Sequence, residues 1–188
     1  YRALKSQSDK FDIYVVPTGW GKTGWIVEDT PEREELDKNI ISTSEHIKHC
    51  NTVGVNPFDV SIQVTIPQEW EKLAPVNIGF TAGTETTHIS LPWVKKANEV
   101  DRIIAVSEHT KAGFTNTIYT GKNEVGQDVH VQCSTPIDVV NFPAKINMEP
   151  TPVALDLDTK FNFLSVVQWG PRKNLENTIL GFIDEFRD

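Results

Sequence analysis

Short apolar runs alternate with helix-like segments through the middle of the chain. Val76–Thr81 and residues 102–106 are each short enough to be a buried strand, and polar, helix-starting residues follow both. Between them, apolar residues recur at intervals of three or four, which predicts a helix over residues 92–99 with Pro92 in its first turn. This order of strand, helix and strand is typical of an α/β fold.

Three further segments have the composition of strands. Residues 11–16, 59–64 and 128–133 are rich in β-branched residues or alternate between apolar and polar positions. Because strands that alternate with helices form parallel sheets, all five segments are predicted to share one mainly parallel sheet. The predicted fold class is α/β, with a Rossmann-like parallel sheet flanked by helices. A further apolar run, residues 161–167, is predicted as a strand outside this sheet.

Capping residues mark where the predicted helices begin. Ser107 directly follows the second central strand and is a good N-cap for a helix that continues through the next two turns. Thr30, followed by a proline and acidic residues, marks a short helix, and residues 44–50 are predicted as a separate helix. Residues 171–186 carry apolar side chains at helical spacing and are predicted as a long amphipathic helix.

A proline-rich segment divides the chain. Residues 138–160 lack periodicity and are predicted as a linker between a first domain, residues 1–137, and a last segment, residues 161–188. One strand and one helix are too little for a second domain with its own core. The first residues look like the last turns of a helix whose beginning is missing.

Composition narrows the classes of partner. Acidic residues outnumber basic ones, 26 to 18, and the net charge of -8 argues against a nucleic acid partner. No apolar run approaches the roughly 20 residues that cross a bilayer, so no integral membrane segment is expected. Cys50 and Cys133 do not form a Cys-x-x-Cys pair, and reduced thiols in a cytoplasmic protein are predicted.

Two motifs imitate cofactor sites. Residues 19–24 match the G-x-G-x-x-G spacing of dinucleotide-binding proteins, but that fingerprint needs a helix at once, and β-branched residues and Pro31 follow instead. A surface loop is favoured there, and an NAD-dependent oxidoreductase is the least favoured function. His46, His49 and Cys50 can share one helix face, but no fourth ligand is evident, so neither a metal nor another cofactor is predicted.

The ends of the two central strands are predicted to meet. In an open parallel sheet, the carboxyl ends of the strands line one crevice. The turn from Gly83 to Thr86 and the helix start at Ser107 each follow such a strand end. We therefore expect the turn and the helix start to lie close together.

An ordered set of short motifs points to a family. They are Asn77-Ile78-Gly79-Phe80-Thr81-Ala82-Gly83 with Glu85-Thr86, then Trp93, then Asp101-Arg102-Ile103-Ile104-Ala105-Val106-Ser107-Glu108-His109-Thr110-Lys111, then Phe161-Asn162-Phe163-Leu164-Ser165-Val166-Val167-Gln168-Trp169, then Pro171-Arg172-Lys173-Asn174. From about residue 59 onward, the chain resembles retaining GT-B glycosyltransferases of the group 1, or family four, class. The earlier motifs resemble the amino-terminal domain of that class, and the last two resemble the opening strand and helix of its second domain. The resemblance therefore implies that the last segment is an incomplete second Rossmann-like domain. It also implies that the first strand and the glycine-rich loop of that class are missing before the opening helix.

The resemblance implies a glycosyltransferase that moves a sugar from a nucleotide-sugar donor to a glycan or other hydroxyl acceptor, with retention and without metal. Acceptor binding is then expected at Gly83, Thr84, Glu85, Thr86 and His88, and donor-phosphate binding at Arg172, Lys173 and Ser107. No catalytic residue is assigned, because in this class the departing phosphate can take the acceptor proton. An arginine usual a few residues before the lysine is replaced by Gln168 or Trp169.

The residues leave an alternative of a different class open. The same crevice serves equally well in a non-catalytic sugar-binding or partner-binding module. If the chain is a glycosyltransferase fragment, it is expected to fold but not to turn over, because positioning of donor and acceptor in one cleft needs the remaining donor domain.

Overall fold

In a computed structural model of the chain, strands alternate with helices as the apolar pattern predicts. The structure describes residues 1–19, 29–122, 124–144, 149 and 155–187. The chain divides into two compact units, Tyr1–Ala144 and Lys145–Asp188. In chain order the first unit contains α1 (Arg2–Lys5), α2 (Pro31–Val53), β1 (Val60–Val64), β2 (Val76–Thr81), α3 (Leu91–Ala97), β3 (Arg102–Ala105), α4 (Glu108–Asn116), β4 (Ile118–Lys122), β5 (Asp128–Gln132) and β6 (Ile137–Val139).

The first unit is a mixed α/β structure built on a four-stranded sheet in the order β1, β2, β3, β6. All three neighbouring pairs are parallel, and Ile62 of β1 lies opposite Ile78 of β2. The strands predicted at residues 59–64, Val76–Thr81 and 102–106 are therefore confirmed, together with their parallel pairing. This arrangement is compatible with a Rossmann-like sheet.

Helices α3 and α4 cover one face of this sheet. On that face Gly79, Ile103 and Ala105 are buried, because alternate residues of each strand point to the same side. The core cluster consists of Trp70, Ile89, Val94, Ala97, Val100, Ile103 and Phe114. Trp70 is fully buried, and a Cβ on Gly79 would lie 2.5 Å from its indole ring, so the glycine lets the ring approach the sheet.

The predicted sheet position of residues 128–133 is wrong. These residues form β5, which pairs antiparallel with β4 in a separate two-stranded sheet. Tyr119 and Val131 lie opposite each other in this hairpin, and both pack on the core. Their packing stabilises β5 in the hairpin rather than in the parallel sheet. The fourth parallel strand is instead β6, at residues that the sequence assigns to the boundary and linker.

The predicted strand at residues 11–16 is also wrong. The segment has no strand assignment, and side chains of α2 satisfy its backbone instead. The backbone N–H of Val15 donates to Thr43 Oγ1 at 3.0 Å, and Asn39 Nδ2 donates to the carbonyl of Ile13 at 2.9 Å. Backbone groups that are bonded in this way do not need a neighbouring strand.

One continuous helix replaces the two short ones predicted between residues 30 and 50. Helix α2 has 23 residues, starts with Thr30 as N-cap, and ends at Gly54, whose φ of 73° is left-handed. No proline or glycine follows Pro31 before that end, so nothing in the chain interrupts the helix. Helices α3 and α4 match their predicted positions to within two residues.

The second unit contains a 3₁₀ turn, Pro171–Lys173, and helix α5, Leu175–Phe186. Asn174, with a φ of 49°, separates them, so the single helix predicted over this stretch is shortened. Residues 161–167 are not a strand: in the described part of this unit they have no neighbouring strand to pair with. Their aromatic rings cluster with α5 instead, since Phe163 lies 5.2 Å from Phe182, centroid to centroid.

None of the helices in the described ranges has the length and apolar character to cross a membrane.

Candidate functional site

The loop after β2 and the start of α4 meet at one edge of the parallel sheet. Strands β2 and β3 are neighbours and end at Thr81 and Ala105, which are paired in register. The chain leaves β2 through residues 82–90, here named the β2–α3 loop, and leaves β3 directly into α4. The predicted proximity of these two segments is present, at the edge where parallel α/β sheets place ligands.

Gly83 fixes the first end of the β2–α3 loop against α4. Its φ is 74°, and a Cβ at this position would lie 2.5 Å from Thr110 Cγ2. Thr110 Oγ1 donates a hydrogen bond of 2.8 Å to the carbonyl of Ala82. The left-handed backbone and the close approach both require glycine here.

Ser107 is the N-cap of α4. Its Oγ accepts from the backbone N–H of Thr110 at 3.1 Å and also lies 3.1 Å from Thr110 Oγ1. Because the Thr110 hydroxyl proton is directed to Ala82, Ser107 donates its own proton to Thr110 Oγ1. The hydroxyl of Ser107 therefore supports the loop through Thr110, and its only proton is already used.

Two hydrogen bonds at Ile89 fix the second end of the β2–α3 loop. The N–H of Ile89 donates to Thr117 Oγ1 at 3.0 Å, and its carbonyl accepts from Tyr119 Oη at 2.8 Å. Thr117 is itself held by a 2.6 Å bond from its hydroxyl to the carbonyl of Gly113. Ile89 is buried in the core, so the loop is anchored on both sides.

Between these anchors, four exposed residues from Glu85 to His88 follow the half-buried Thr84. Thr86 Oγ1 donates to the carbonyl of His88 at 2.7 Å, so at the 2.9 Å contact with Thr84 Oγ1 it is Thr84 that donates. Thr84 retains acceptor capacity towards solvent, and the Thr87 hydroxyl lies 3.1 Å from His88 Nδ1. The loop thus displays hydroxyl, carboxylate and imidazole groups on a fixed backbone.

The chain after β6 extends the same edge of the sheet. The N–H of Val140 donates to the carbonyl of Ala105, and Asn141 Nδ2 donates to the carbonyl of Val106, both at 2.9 Å. Phe142 places its ring 6.3 Å from that of Phe80, centroid to centroid. A third strand therefore contributes side chains to the edge that carries the β2–α3 loop.

Arg172 and Lys173, the other predicted site residues, belong to the second unit. Both are exposed in the 3₁₀ turn that precedes α5, and the N–H of Lys173 bonds to the carbonyl of Gly170 at 3.1 Å. The sequence predicts both in the first turn of a helix that follows a strand, but α5 begins only at Leu175 and residues 161–167 are not a strand. Within the first unit, the structure brings together Gly83, Thr84, Glu85, Thr86, His88 and Ser107.

His46, one of the residues considered for metal binding, has other partners. His46 Nε2 lies 2.9 Å from the carbonyl of Pro57, and its ring stacks on Tyr14 at 4.4 Å. Over the residues that the structure describes, no cluster of three potential ligands is present.

Cys50 and Cys133 are free thiols. Burial raises the pKa of Cys133, and a hydrogen bond to the backbone at Thr135 lowers it by a smaller amount. Apart from Gly19, the G-x-G-x-x-G motif lies outside the described residues.

The residues that anchor the loop of the site are not identified from the sequence. Thr110, Thr117 and Tyr119 look like ordinary polar residues of a helix and a loop, and only the folded chain brings them to residues 28 to 30 positions away. Asn141 falls within the predicted linker. The sequence contains one signal for the Thr110 contact, the spacing Ser107-x-x-Thr110. It places a hydroxyl at the third residue of the helix, where the side chain can hydrogen-bond back to the N-cap residue.

A scan against protein-family models and searches of curated proteins and of solved structures give no match to this chain.

Proposed function

We propose that the first unit carries the acceptor side of a nucleotide-sugar-dependent glycosyltransferase. The observation that carries the proposal is the β2–α3 loop, which holds exposed polar side chains between two anchors at the carboxyl edge of a parallel sheet. Active sites need groups that the scaffold holds in place before the ligand arrives. The resemblance to retaining GT-B enzymes covers this loop and gives the reaction class.

The chemistry of the loop suits a ligand rich in hydroxyl groups. Sugar hydroxyls both donate and accept, so they pair with carboxylates, with hydroxyl oxygens and with imidazole nitrogens. Glu85 and His88 are exposed, and Thr84 keeps acceptor capacity after its internal bond. In our proposal these side chains orient one hydroxyl of the acceptor.

In the same proposal, Arg172 and Lys173 hold the donor diphosphate. Cations form charge-assisted hydrogen bonds to phosphate, and the start of a helix adds a favourable dipole. The two residues precede α5 in the second unit, which we propose to be the opening of a second Rossmann-like domain. Ser107, whose hydroxyl proton is used internally, supports the loop in this scheme rather than the phosphates.

The proposed reaction exchanges one bond for another at the anomeric carbon. The bond from this carbon to the diphosphate oxygen breaks, and a bond to the acceptor oxygen forms on the same face of the sugar. The acceptor proton passes to the departing phosphate, so no protein base is required. The protein lowers the barrier by holding the two substrates in position and by offsetting the charge on the leaving diphosphate.

Two free cysteines support a reducing, cytoplasmic setting for the reaction.

Two titrations followed by backbone NMR test the binding part of the proposal on the 188-residue chain. A panel of neutral glycans is expected to shift the amide signals of Thr84 to His88. A panel of nucleoside diphosphates is expected to shift those of Arg172 and Lys173, and Lys173→Ala should weaken that binding by about 1 to 3 kcal/mol. Lys160→Ala changes another exposed lysine of the second unit and is the matched control.

The outcomes separate the competing functions. Glycan shifts in the loop without any effect of nucleoside diphosphates would favour a non-catalytic sugar-binding module. Shifts caused by NAD alone would favour the oxidoreductase alternative. No shift in the loop with any glycan would remove the acceptor assignment.

A further inference from the structure

The β2–α3 loop passes from solvent into the core within a single peptide bond. His88, the last residue of the candidate acceptor group, is exposed, and the next residue, Ile89, is only 3% exposed. The backbone of Ile89 therefore sets where the His88 side chain leaves the chain. Whatever holds Ile89 in place also orients the imidazole.

The peptide group that joins His88 to Ile89 is held from both sides. Its carbonyl accepts a 2.7 Å hydrogen bond from Thr86 Oγ1, and its N–H donates a 3.0 Å bond to Thr117 Oγ1. A peptide group is planar, so bonds to its oxygen and to its nitrogen together fix the orientation of the plane. The first bond comes from within the loop, and the second ties the loop to the rest of the fold.

Thr117 is itself a fixed acceptor. Its side chain is 2% exposed, and its hydroxyl proton is donated to the carbonyl of Gly113 at 2.6 Å. With that proton used, Oγ1 can only accept from the N–H of Ile89. Thr117 is also the C-cap of α4, so this bond joins the loop to the end of that helix.

Tyr119 holds the next peptide group. Its hydroxyl donates a 2.8 Å bond to the carbonyl of Ile89. The ring of Tyr119 packs on the core and lies opposite Val131 in the β4–β5 hairpin, so the hydroxyl is presented from a fixed position. Both backbone groups of Ile89 are thus bonded to side chains from one short segment, residues 117–119.

We propose that Thr117 and Tyr119 are positioning residues for acceptor binding and that they act through His88. This inference rests on the proposed function. Among the described residues, His88 Nδ1 has Thr87 Oγ1 at 3.1 Å and Nε2 has no partner, so Nε2 is the nitrogen left to bond a sugar hydroxyl. An imidazole that is held in place before the acceptor arrives does not have to be ordered during binding.

Three variants of the 188-residue chain test this role, with glycan affinity measured by NMR titration. Tyr119→Phe removes only the hydroxyl, Thr117→Val keeps the shape of the side chain without its hydrogen bonds, and Thr117→Ser keeps the hydroxyl. The first two should each weaken glycan binding by about two- to tenfold, the effect of one net hydrogen bond, and Thr117→Ser should restore it. Affinity for nucleoside diphosphates should not change.

Tyr14→Phe is the matched control. It removes the same atom from another tyrosine of the first unit, 39% exposed, whose hydroxyl has no hydrogen bond within the described residues. Glycan affinity is expected to stay the same in this variant.

A double-mutant cycle with His88→Ala tests whether Tyr119 acts through the imidazole. His88→Ala removes the ring and leaves the backbone bonds of the loop in place. In that background, Tyr119→Phe should weaken glycan binding by less than about twofold, because the group that it positions is absent.

The outcomes separate this inference from the function on which it rests. If the unchanged chain binds glycans and neither Tyr119→Phe nor Thr117→Val weakens that binding, the inference is overturned and the proposed function stands. Equal weakening with and without His88 also overturns it, since the two residues then act on another part of the loop. A chain that binds no glycan contradicts both. Circular dichroism establishes that each variant is folded, and Tyr119→Phe keeps the test decisive if Thr117→Val does not fold.

Discussion

Two glycines near the site lie so close to other side chains that neither has room for a Cβ atom. At Gly79, a Cβ would lie 2.5 Å from the Trp70 indole, and at Gly83 it would lie equally close to Thr110. Both glycines fall within the motifs singled out from the sequence, but the sequence does not show which ring or hydroxyl approaches them. Trp70 is nine residues away in the chain, and Thr110 is 27 residues away.

Gly79→Ala is expected to destabilise the first unit. The added methyl group collides with the buried ring of Trp70, which has no space to move, and overpacking of this kind costs about 1 to 3 kcal/mol. Urea unfolding measures the change. Gly121→Ala in β4 is the control, because its Cβ meets nothing within 4 Å. Equal stability of the two variants would show that Trp70 does not lie against Gly79.

Glu85→Gln separates binding from stability at the candidate site. The carboxylate is exposed, so we expect unfolding free energy to change by less than about 0.5 kcal/mol. If Glu85 orients the acceptor, the same change in the full gene product raises KM for the acceptor or lowers kcat, while donor affinity stays the same. Glu124→Gln, at another exposed glutamate, is the control. Normal kinetics with a lower unfolding temperature would make Glu85 a structural residue of the turn.

Elements differ in how far the sequence determines them. Apolar runs mark strands β1, β2 and β3, and apolar spacing or a capping serine marks helices α3 and α4, so the sequence predicts these positions and the parallel pairing of the three strands. It does not predict β6, whose residues look like part of the linker. It does not predict the hairpin of β4 and β5, because the stability of that hairpin comes from Tyr119 and Val131 packing on a core that only the fold assembles. Residues 11–16 have strand composition, but α2 offers their backbone side-chain partners, and composition alone does not reveal that competition.

Helices α3 and α4 offer a matched test of how the loop is supported. Both have serine as N-cap, but Ser107 makes a side-chain bond to Thr110 and Ser90 makes none. We expect Ser107→Ala to cost about 0.5 to 2 kcal/mol and Ser90→Ala to cost much less. Ser107→Ala should also increase hydrogen exchange of the β2–α3 loop, since Thr110 loses its support. Similar effects of the two variants would mean that the cap does not hold the loop.

At the scale of the whole molecule, the sequence predicts the sheet edge that carries the site better than the contents of the site. The meeting of the Gly83 turn and Ser107 follows from parallel topology alone. The anchors at Thr110, Thr117 and Tyr119 depend on tertiary contacts, and no local pattern announces them. The role of Ser107 changes for the same reason: its hydroxyl is directed to Thr110, which only the folded chain shows.

The most direct measurement is a transfer assay with the full gene product, a panel of nucleotide sugars and a panel of glycan acceptors. The proposed function predicts release of nucleoside diphosphate that depends on the acceptor, and NMR of the first product should show the anomeric configuration of the donor retained. Glu85→Gln should slow this release at low acceptor concentration, and Glu124→Gln should not. If no donor gives acceptor-dependent release while glycans and nucleoside diphosphates leave the amide signals of both candidate groups unchanged, the glycosyltransferase proposal is contradicted.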